Sequence, residues 1–264
     1  MLRYKEKEDI EARFVEVDEA VEQWRERIQG VPSELREEFL ARLQISLIYH
    51  DAALEGEVLT HSEIKAAIDP TIISDSSLIP AYETIKHFNQ AYEFAVEFAA
   101  GKKRPVKLDT IREICGILNP EEKANGCPYR KDNPLHRLYY HEIAPPEKIT
   151  YRMRKFGEWL EESTTQALHP VERAAKTHFR LMSIFPWAKR SGRTARIVAN
   201  LLLVQADYPI AIIHSIDRQR YYEALRTDNA EIVSVYLEAV ETTALSEIQV
   251  YEEASRGPRR RRRA

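Results

Sequence analysis

The chain has 264 residues, 44% of them apolar and 31% charged, with only 8 glycines. That length covers one large domain or two small ones with a real core, and the scarcity of glycine beside abundant Glu, Lys, Arg, Ala and Leu points to an all-α protein. The formal charge of −3 hides an uneven distribution: Arg256 and Arg259 to Arg263 put six positive charges at one end, leaving −9 on the rest, a balance that excludes nucleic-acid binding over the body and leaves it only to the Arg-rich tail.

The first expected helix is polar and amphipathic and runs from Asp18 to Gln29. The N-terminal "MLRYKEKEDIEARF" is too charged for a signal peptide. Pro32 and Ser33 open a longer helix with Leu35, Phe39, Leu43, Leu47 and Leu54 on one stripe. Thr60 and Glu63 have capping-box spacing and start a short helix through Ile68. Tyr82 to Ala100, stopped by Gly101, and Leu108 to Leu118 are further helices. Asn119 to Pro146 breaks the pattern with prolines, an Asn-Gly pair and "PYRKDNPLHRLYYHEIAPP", which suggests a loop and an irregular hairpin. Helices resume at Pro146 to about Glu162, at His169 and Pro170 to Ile184, at Arg193 to Gln205, at Arg218 to Arg226 and at Asn229 to Leu245. The longest apolar run, Ile197 to Val204 with Asn200 inside it, is far below the roughly 20 residues that span a bilayer. Cys115 and Cys127 fit no metal or redox spacing. A cytoplasmic protein with no membrane partner is expected.

The stretch "SIFPWAKRSGRTARIVANLLL", Ser183 to Leu203, carries the chemistry. A loop of small and basic residues precedes a buried helix, whose first N–H groups lack intrahelical partners and together carry about half a positive charge. Lys189, Arg190, Arg193 and Arg196 add four cations around Ser191 and Gly192. Two readings stay open on this spacing. One is a phosphate or polyphosphate site. The other is a structural helix start whose arginines pair with carboxylates of the acidic body. No His, Asp or Glu lies between Ile184 and Asp207 to act as base or metal ligand, and His178 is read as a packing histidine.

Four blocks in order resemble the Fic (Fido) family. Phe185-Pro186-Trp187-Ala188-Lys189-Arg190-Ser191-Gly192-Arg193, then Arg196, aligns with the family signature HPFx(D/E)GNGRxxR. "HPVERAAKTHFRLMSI" and "TARIVANLLLVQADYPI" resemble the helices on either side of it. "NGCPYRKDN…IAPPEKI" resembles the segment through the target-binding flap, and "DAALEGEVLT" the inhibitory motif (S/T)xxxE(G/N), with Asp51 in the Ser/Thr place followed by Glu55 and Gly56. The resemblance implies an all-α Fic/Fido helical fold with a small β-hairpin flap that includes Arg137, Leu138, Tyr139 and Tyr140. It divides the chain into an N-terminal helical region, 1–104, with an inhibitory-type helix at about 46–57, a Fic core, 105–250, and the tail, 251–264.

The departures from the signature shape the expected function. Typical family members transfer AMP from ATP to a protein hydroxyl, using the signature His as base and its Asp or Glu to hold Mg²⁺. Here those positions are Phe185 and Lys189, and the first Gly and the Asn are Arg190 and Ser191. Losing a general base typically costs a factor of 10² to 10⁴, so AMP transfer by the usual route is not expected. The first reading is a divergent Fic protein whose loop, Lys189 to Arg193 with Arg196, holds ATP, another nucleotide or another phosphorylated ligand without Mg²⁺ or any other metal. A second is an enzyme with a changed, metal-independent transferase or lyase reaction and a relocated base: His141 first, with His50, Asp51, Glu55, His136, Tyr139 and Tyr140 also in reach. A third is an inactive module that binds a protein or peptide at the flap. Glu55 and Gly56 are the regulatory candidates, with a Glu55–Arg196 pair that is either inhibitory or purely structural.

Overall fold

The computed structural model describes residues 2–69, 71–72, 81–101, 104–134, 141–227 and 229–255. Its helices are α1 (Leu2–Gln29), α2 (Ser33–Leu54), α3 (His61–Ile68), α4 (Tyr82–Ala100), α5 (Leu108–Leu118), α6 (Pro120–Lys123), α7 (Pro146–Glu161), α8 (Ser163–Gln166), α9 (Pro170–Ile184), α10 (Ser191–Gln205), α11 (Arg218–Thr227) and α12 (Asn229–Ser255), with a 3₁₀ turn at Ser215–Asp217. Among the described residues there is no strand. The flap residues Arg137, Leu138, Tyr139 and Tyr140, with His136, lie outside the described residues, as does the arginine run of the tail.

α10 is the centre of the packing. Ser191 to Leu203 are buried without a break, the apolar second half by packing and the polar first half by pairing with other elements. It packs on α9, α4 and α5, while α12 covers α9 and α1 covers α12. Asn200, the polar interruption in the run, donates from Nδ2 to the Ala211 carbonyl (3.2 Å) and accepts the Ala211 N–H on Oδ1 (2.8 Å). It thereby clips the extended chain after α10 onto the helix and leaves no buried amide unpaired.

Two helices are longer than their sequence pattern suggested. α1 starts at Leu2, not Asp18, because Phe14, Val17, Val21 and Trp24 form a stripe that meets α12. α12 continues past Leu245 to Ser255, since Glu247 and Tyr251 face that stripe: Trp24 Nε1 donates to Glu247, and Tyr251 donates to the same carboxylate at 2.9 Å. The inhibitory-type segment 46–57 is not a helix of its own. It is the end of α2 and the turn that closes it.

That turn has a defined geometry. Gly56 takes φ +85°, the Glu57 N–H reaches the Ala52 carbonyl at 2.9 Å, and the Gly56 N–H reaches Ala53 at 3.1 Å. This is the double bond pattern of a glycine-terminated helix. It swings Glu55 and Glu57 off the end of α2. α3 starts just beyond, behind a Thr60–Glu63 capping box.

Candidate functional site: the start of α10

The loop between α9 and α10 is held from several sides. Phe185 ends α9 in the left-handed region (φ 49°, ψ 63°), a conformation unfavourable for a bulky residue. Arg130 secures the bend. Its Nε donates to the Phe185 carbonyl (2.7 Å), Nη1 to the Asp132 carbonyl (3.0 Å) and Asn133 Oδ1 (2.8 Å), and Nη2 to the carbonyls of Ala144 and Ile184. Its backbone N–H meets the Pro186 carbonyl at 2.9 Å. With no carboxylate among these partners, burial lowers its pKa. Trp187 is also buried. Its indole N–H donates to Cys127 (3.0 Å), and its backbone N–H donates to Ser191 Oγ (2.8 Å), which returns a bond to the Trp187 carbonyl. Ser191 is thus a loop-closing residue.

The four cations part company. Lys189 is 68% exposed at the side chain and lies 3.5 Å from Glu121. Arg190, left-handed at φ 58°, turns away from the helix start. Its Nη1 donates to the Leu118 carbonyl at the end of α5, and its Nη2 approaches Thr84 Oγ1 at 3.5 Å, a favourable place for a cation beside a helix C-terminus. Arg193 donates from Nε to Asp51 Oδ2 (2.9 Å) and from Nη2 to Glu57 (2.6 Å). Arg196 donates from Nε to Asp51 Oδ1 (2.5 Å), from Nη2 to Glu55 Oε1 (2.7 Å) and from Nη1 to the Tyr221 hydroxyl (3.2 Å).

Two guanidinium groups are therefore buried against three carboxylates of α2 and its turn. Burial alone would lower the pKa of Arg196, but Asp51, Tyr221 and Glu55 outweigh it and hold it well above the usual value. Glu55 Oε1 also sits directly over Gly192, where any β-carbon would collide with it. The carboxylate occupies the position at the helix start that an anionic ligand would use.

A buried hydrogen-bond chain lies behind the pair. The Tyr221 hydroxyl accepts from Arg196 and is hydrogen-bonded to His178 Nε2 (3.0 Å). Burial, aided by the neighbouring Arg196 and His141, keeps His178 neutral by lowering its pKa well below the usual range. Tyr222 and Arg218 both donate to the Leu54 carbonyl, at 3.0 and 3.1 Å, and so anchor the end of α2. His141 is buried, 6.2 Å from the Phe185 ring edge-on, and its Nε2–H donates to the Met182 carbonyl (2.9 Å).

Two clefts flank Ala188 and Lys189. One, of about 350 Å³, is bounded by Glu55, Glu57, Phe185, Arg190 and Arg193. The other, of about 330 Å³, is walled by Cys115, Cys127, Pro128, Tyr129 and Trp187. Three features escaped the sequence: Asp51 as the ligand of two arginines, Glu57 as a partner of Arg193, and the Tyr221–His178 chain. The available signal was the i, i+4 spacing of Asp51 and Glu55, which puts both on one face of α2.

The comparisons with known proteins agree with this architecture. The family model described as Fic/DOC family matches residues 105–203. The chain is 30% identical over 186 residues to the protein adenylyltransferase Fic of Nematostella vectensis, an alignment covering 69% of this chain and 42% of that protein. The chain thus spans about two fifths of that relative's length. A Fic domain containing signaling protein from Bacteroides thetaiotaomicron superposes with a TM-score of 0.73 at 21% identity, covering 91% of this chain and 98% of that one. Fic-1 from C. elegans gives 0.74 at 22% identity over 97% of this chain and 76% of that one. The family match over residues 105–203, the relatives' similarity and the shared helical fold show that this chain carries a Fic/Fido domain.

Proposed function

We propose that this chain is a divergent Fic protein without the family's usual AMP-transfer chemistry. It holds a nucleotide or other phosphorylated ligand at the start of α10, and Glu55 covers that place in the resting state. The seat of Glu55 Oε1 over Gly192, 2.7 Å from Arg196 Nη2, carries the reading. A carboxylate packed against the first turn of a helix and paired with a buried arginine marks a position that accepts an oxyanion.

Phe185 stands at the signature His position. Its ring takes no proton, and its neighbour His141 is buried with Nε2 spent on a backbone carbonyl. A divalent cation does not fit here: Lys189 brings a positive charge to the place of the metal-binding carboxylate, and Arg190 beside it is a further cation that offers no ligand oxygen. What the residues offer is binding: helix-end amides, one Arg196 Nη2 and the exposed Lys189 ammonium.

Calorimetry with ATP, ADP and AMP, with and without Mg²⁺, tests this on the unaltered chain and on Glu55→Gly. Binding that appears or strengthens in Glu55→Gly and is indifferent to Mg²⁺ is the expected result. Absence of heat for every nucleotide in both proteins would refute it. Nucleotide consumption by the purified protein would instead favour an enzyme with a rebuilt reaction.

A second reading has its own observation. The apolar cleft between Tyr129 and Trp187 adjoins the segment that leads toward residues 135–140, and it would hold an apolar side chain of a protein partner.

A further inference from the structure

We propose that Asp51 is the specificity-determining residue of this site, and that it restricts the ligand to one bearing a single phosphate group rather than a polyphosphate. The inference rests on the anion-site reading above and deepens it.

The three carboxylates differ in their freedom to leave. Glu55 and Glu57 sit on the turn that ends α2. Gly56 hinges that turn, and the Glu57 side chain is 43% exposed. Glu55 and Glu57 pair with different arginines, so a change of rotamer at Glu55 opens its pair and leaves Glu57 on Arg193. Asp51 lies a full turn inside α2, is 4% exposed and is flanked by the core residues Ile48 and Ala52. Each of its oxygens holds one arginine by Nε. It cannot withdraw without carrying α2 with it, and the Leu54 carbonyl is fixed by Tyr222 and Arg218.

Charge follows from this geometry. When Glu55 alone moves aside, Arg193 and Arg196 remain opposed by Asp51 and Glu57, so the four side chains sum to zero. What attracts an anion is then the helix end, worth about half a charge, and Lys189 at the mouth. Arg190 adds little, because its guanidinium is spent on the end of α5. One phosphate group matches this supply. A triphosphate would bring several further negative charges toward a fixed carboxylate, in surroundings where the repulsion is poorly screened.

The geometry of Arg196 supports the same conclusion. With Nε on Asp51 and Nη1 on Tyr221, the nitrogen of Arg196 that loses its partner when Glu55 leaves is Nη2. A polyphosphate clamp uses whole arginine forks. This arginine presents one nitrogen.

The test compares AMP, ADP and ATP, which share base and sugar and differ in charge, in buffer with EDTA. Three proteins are titrated calorimetrically: Glu55→Gly, Asp51→Ser/Glu55→Gly and Asp51→Asn/Glu55→Gly. The last keeps the shape of the side chain in case the serine variant does not fold, and thermal melts verify folding for all three. The expected result for Glu55→Gly is an affinity that falls from AMP through ADP to ATP, by about tenfold across the series. Removing the Asp51 charge is expected to raise ATP affinity by about tenfold or more, and AMP affinity by less than about threefold. An ATP-to-AMP ratio that is the same with and without Asp51 overturns the proposal while leaving the anion site standing. Absence of binding to all three proteins overturns the proposal and the site together.

Discussion

A single carbon added to Gly192 would collide with Oε1 of Glu55, so the helix start and the end of α2 are fitted to each other at atomic contact. This fit reverses an ordinary expectation. Gly→Ala inside a helix stabilises by about 1 kcal/mol, yet Gly192→Ala forces Glu55 away from Arg196 and leaves part of a buried guanidinium without its partner. The expected net effect is a loss of about 1–3 kcal/mol. Urea denaturation of Gly192→Ala against the unaltered chain measures it, and a gain in stability would mean that Glu55 is not held there.

Arg130 is expected to tolerate no substitution, lysine included. Its five contacts are carbonyl or amide oxygens, and they tie together three stretches: Phe185 with Ile184, Asp132 with Asn133, and Ala144. Lysine keeps the charge but has a compact head with three donors and no fork. Two or more buried carbonyls would lose their donors. Arg130→Lys should cost about 2–4 kcal/mol, read as a shift in denaturation midpoint with an unchanged slope.

Much of this fold was legible before any coordinates. The apolar spacing of α2, α4, α5, α7, α9 and α10, the Thr60 cap and the prolines at the starts of α7 and α9 gave those elements nearly where they lie. α1 and α12 were cut short for one reason: their contact stripes are diluted by charged residues, and each makes sense only against the other. The site was half legible. Four cations before a buried helix can be counted in a sequence, but the direction of Arg190 depends on a left-handed backbone angle that no residue type there requires. The carboxylate partners of Arg193 and Arg196 lie more than 130 positions away. Spacing left a ligand site and a structural ion-pair cluster open together, because both need the same residues at the same positions.

The three carboxylates of the cluster should differ sharply in what they contribute to stability. Glu57 is partly exposed and holds one arginine from the outside. Glu57→Ala is therefore expected to cost under about 1 kcal/mol. Asp51 is buried and serves two arginines. Asp51→Ala leaves both with uncompensated charge and should cost about 3–5 kcal/mol, while Asp51→Asn, which retains one acceptor oxygen, should fall between the two. Chemical denaturation of the three variants in one buffer checks the ranking. Equal losses for Glu57→Ala and Asp51→Ala would show that the cluster is not organised around Asp51.

Acid should loosen the end of α2 before it reaches the rest of the molecule. His50, one residue before Asp51, accepts the Ser215 N–H on Nδ1 (3.1 Å), and its ring lies 4.3 Å from that of His214. Burial, with the neighbouring His214 and His61, pushes its pKa from 6.5 down to about 4. The ring is neutral in the folded chain and charged in the unfolded one between those values, so the unfolded state binds more protons there. Stability from this residue is complete above pH 6.5 and is lost progressively as pH falls toward 4. Glu247 acts in the opposite sense. Burial raises its pKa above 4.5, Trp24 and Tyr251 offsetting this only in part, so the folded state binds the extra proton and acidification through that window stabilises. The two are separated by substitution. His50→Gln should flatten the stability profile between pH 6.5 and 4, and Glu247→Gln should steepen it. Denaturation at half-unit pH steps gives both slopes. A His50→Gln profile parallel to that of the unaltered chain would mean that protonation of His50 does not oppose folding and that acid acts on α2 by another group.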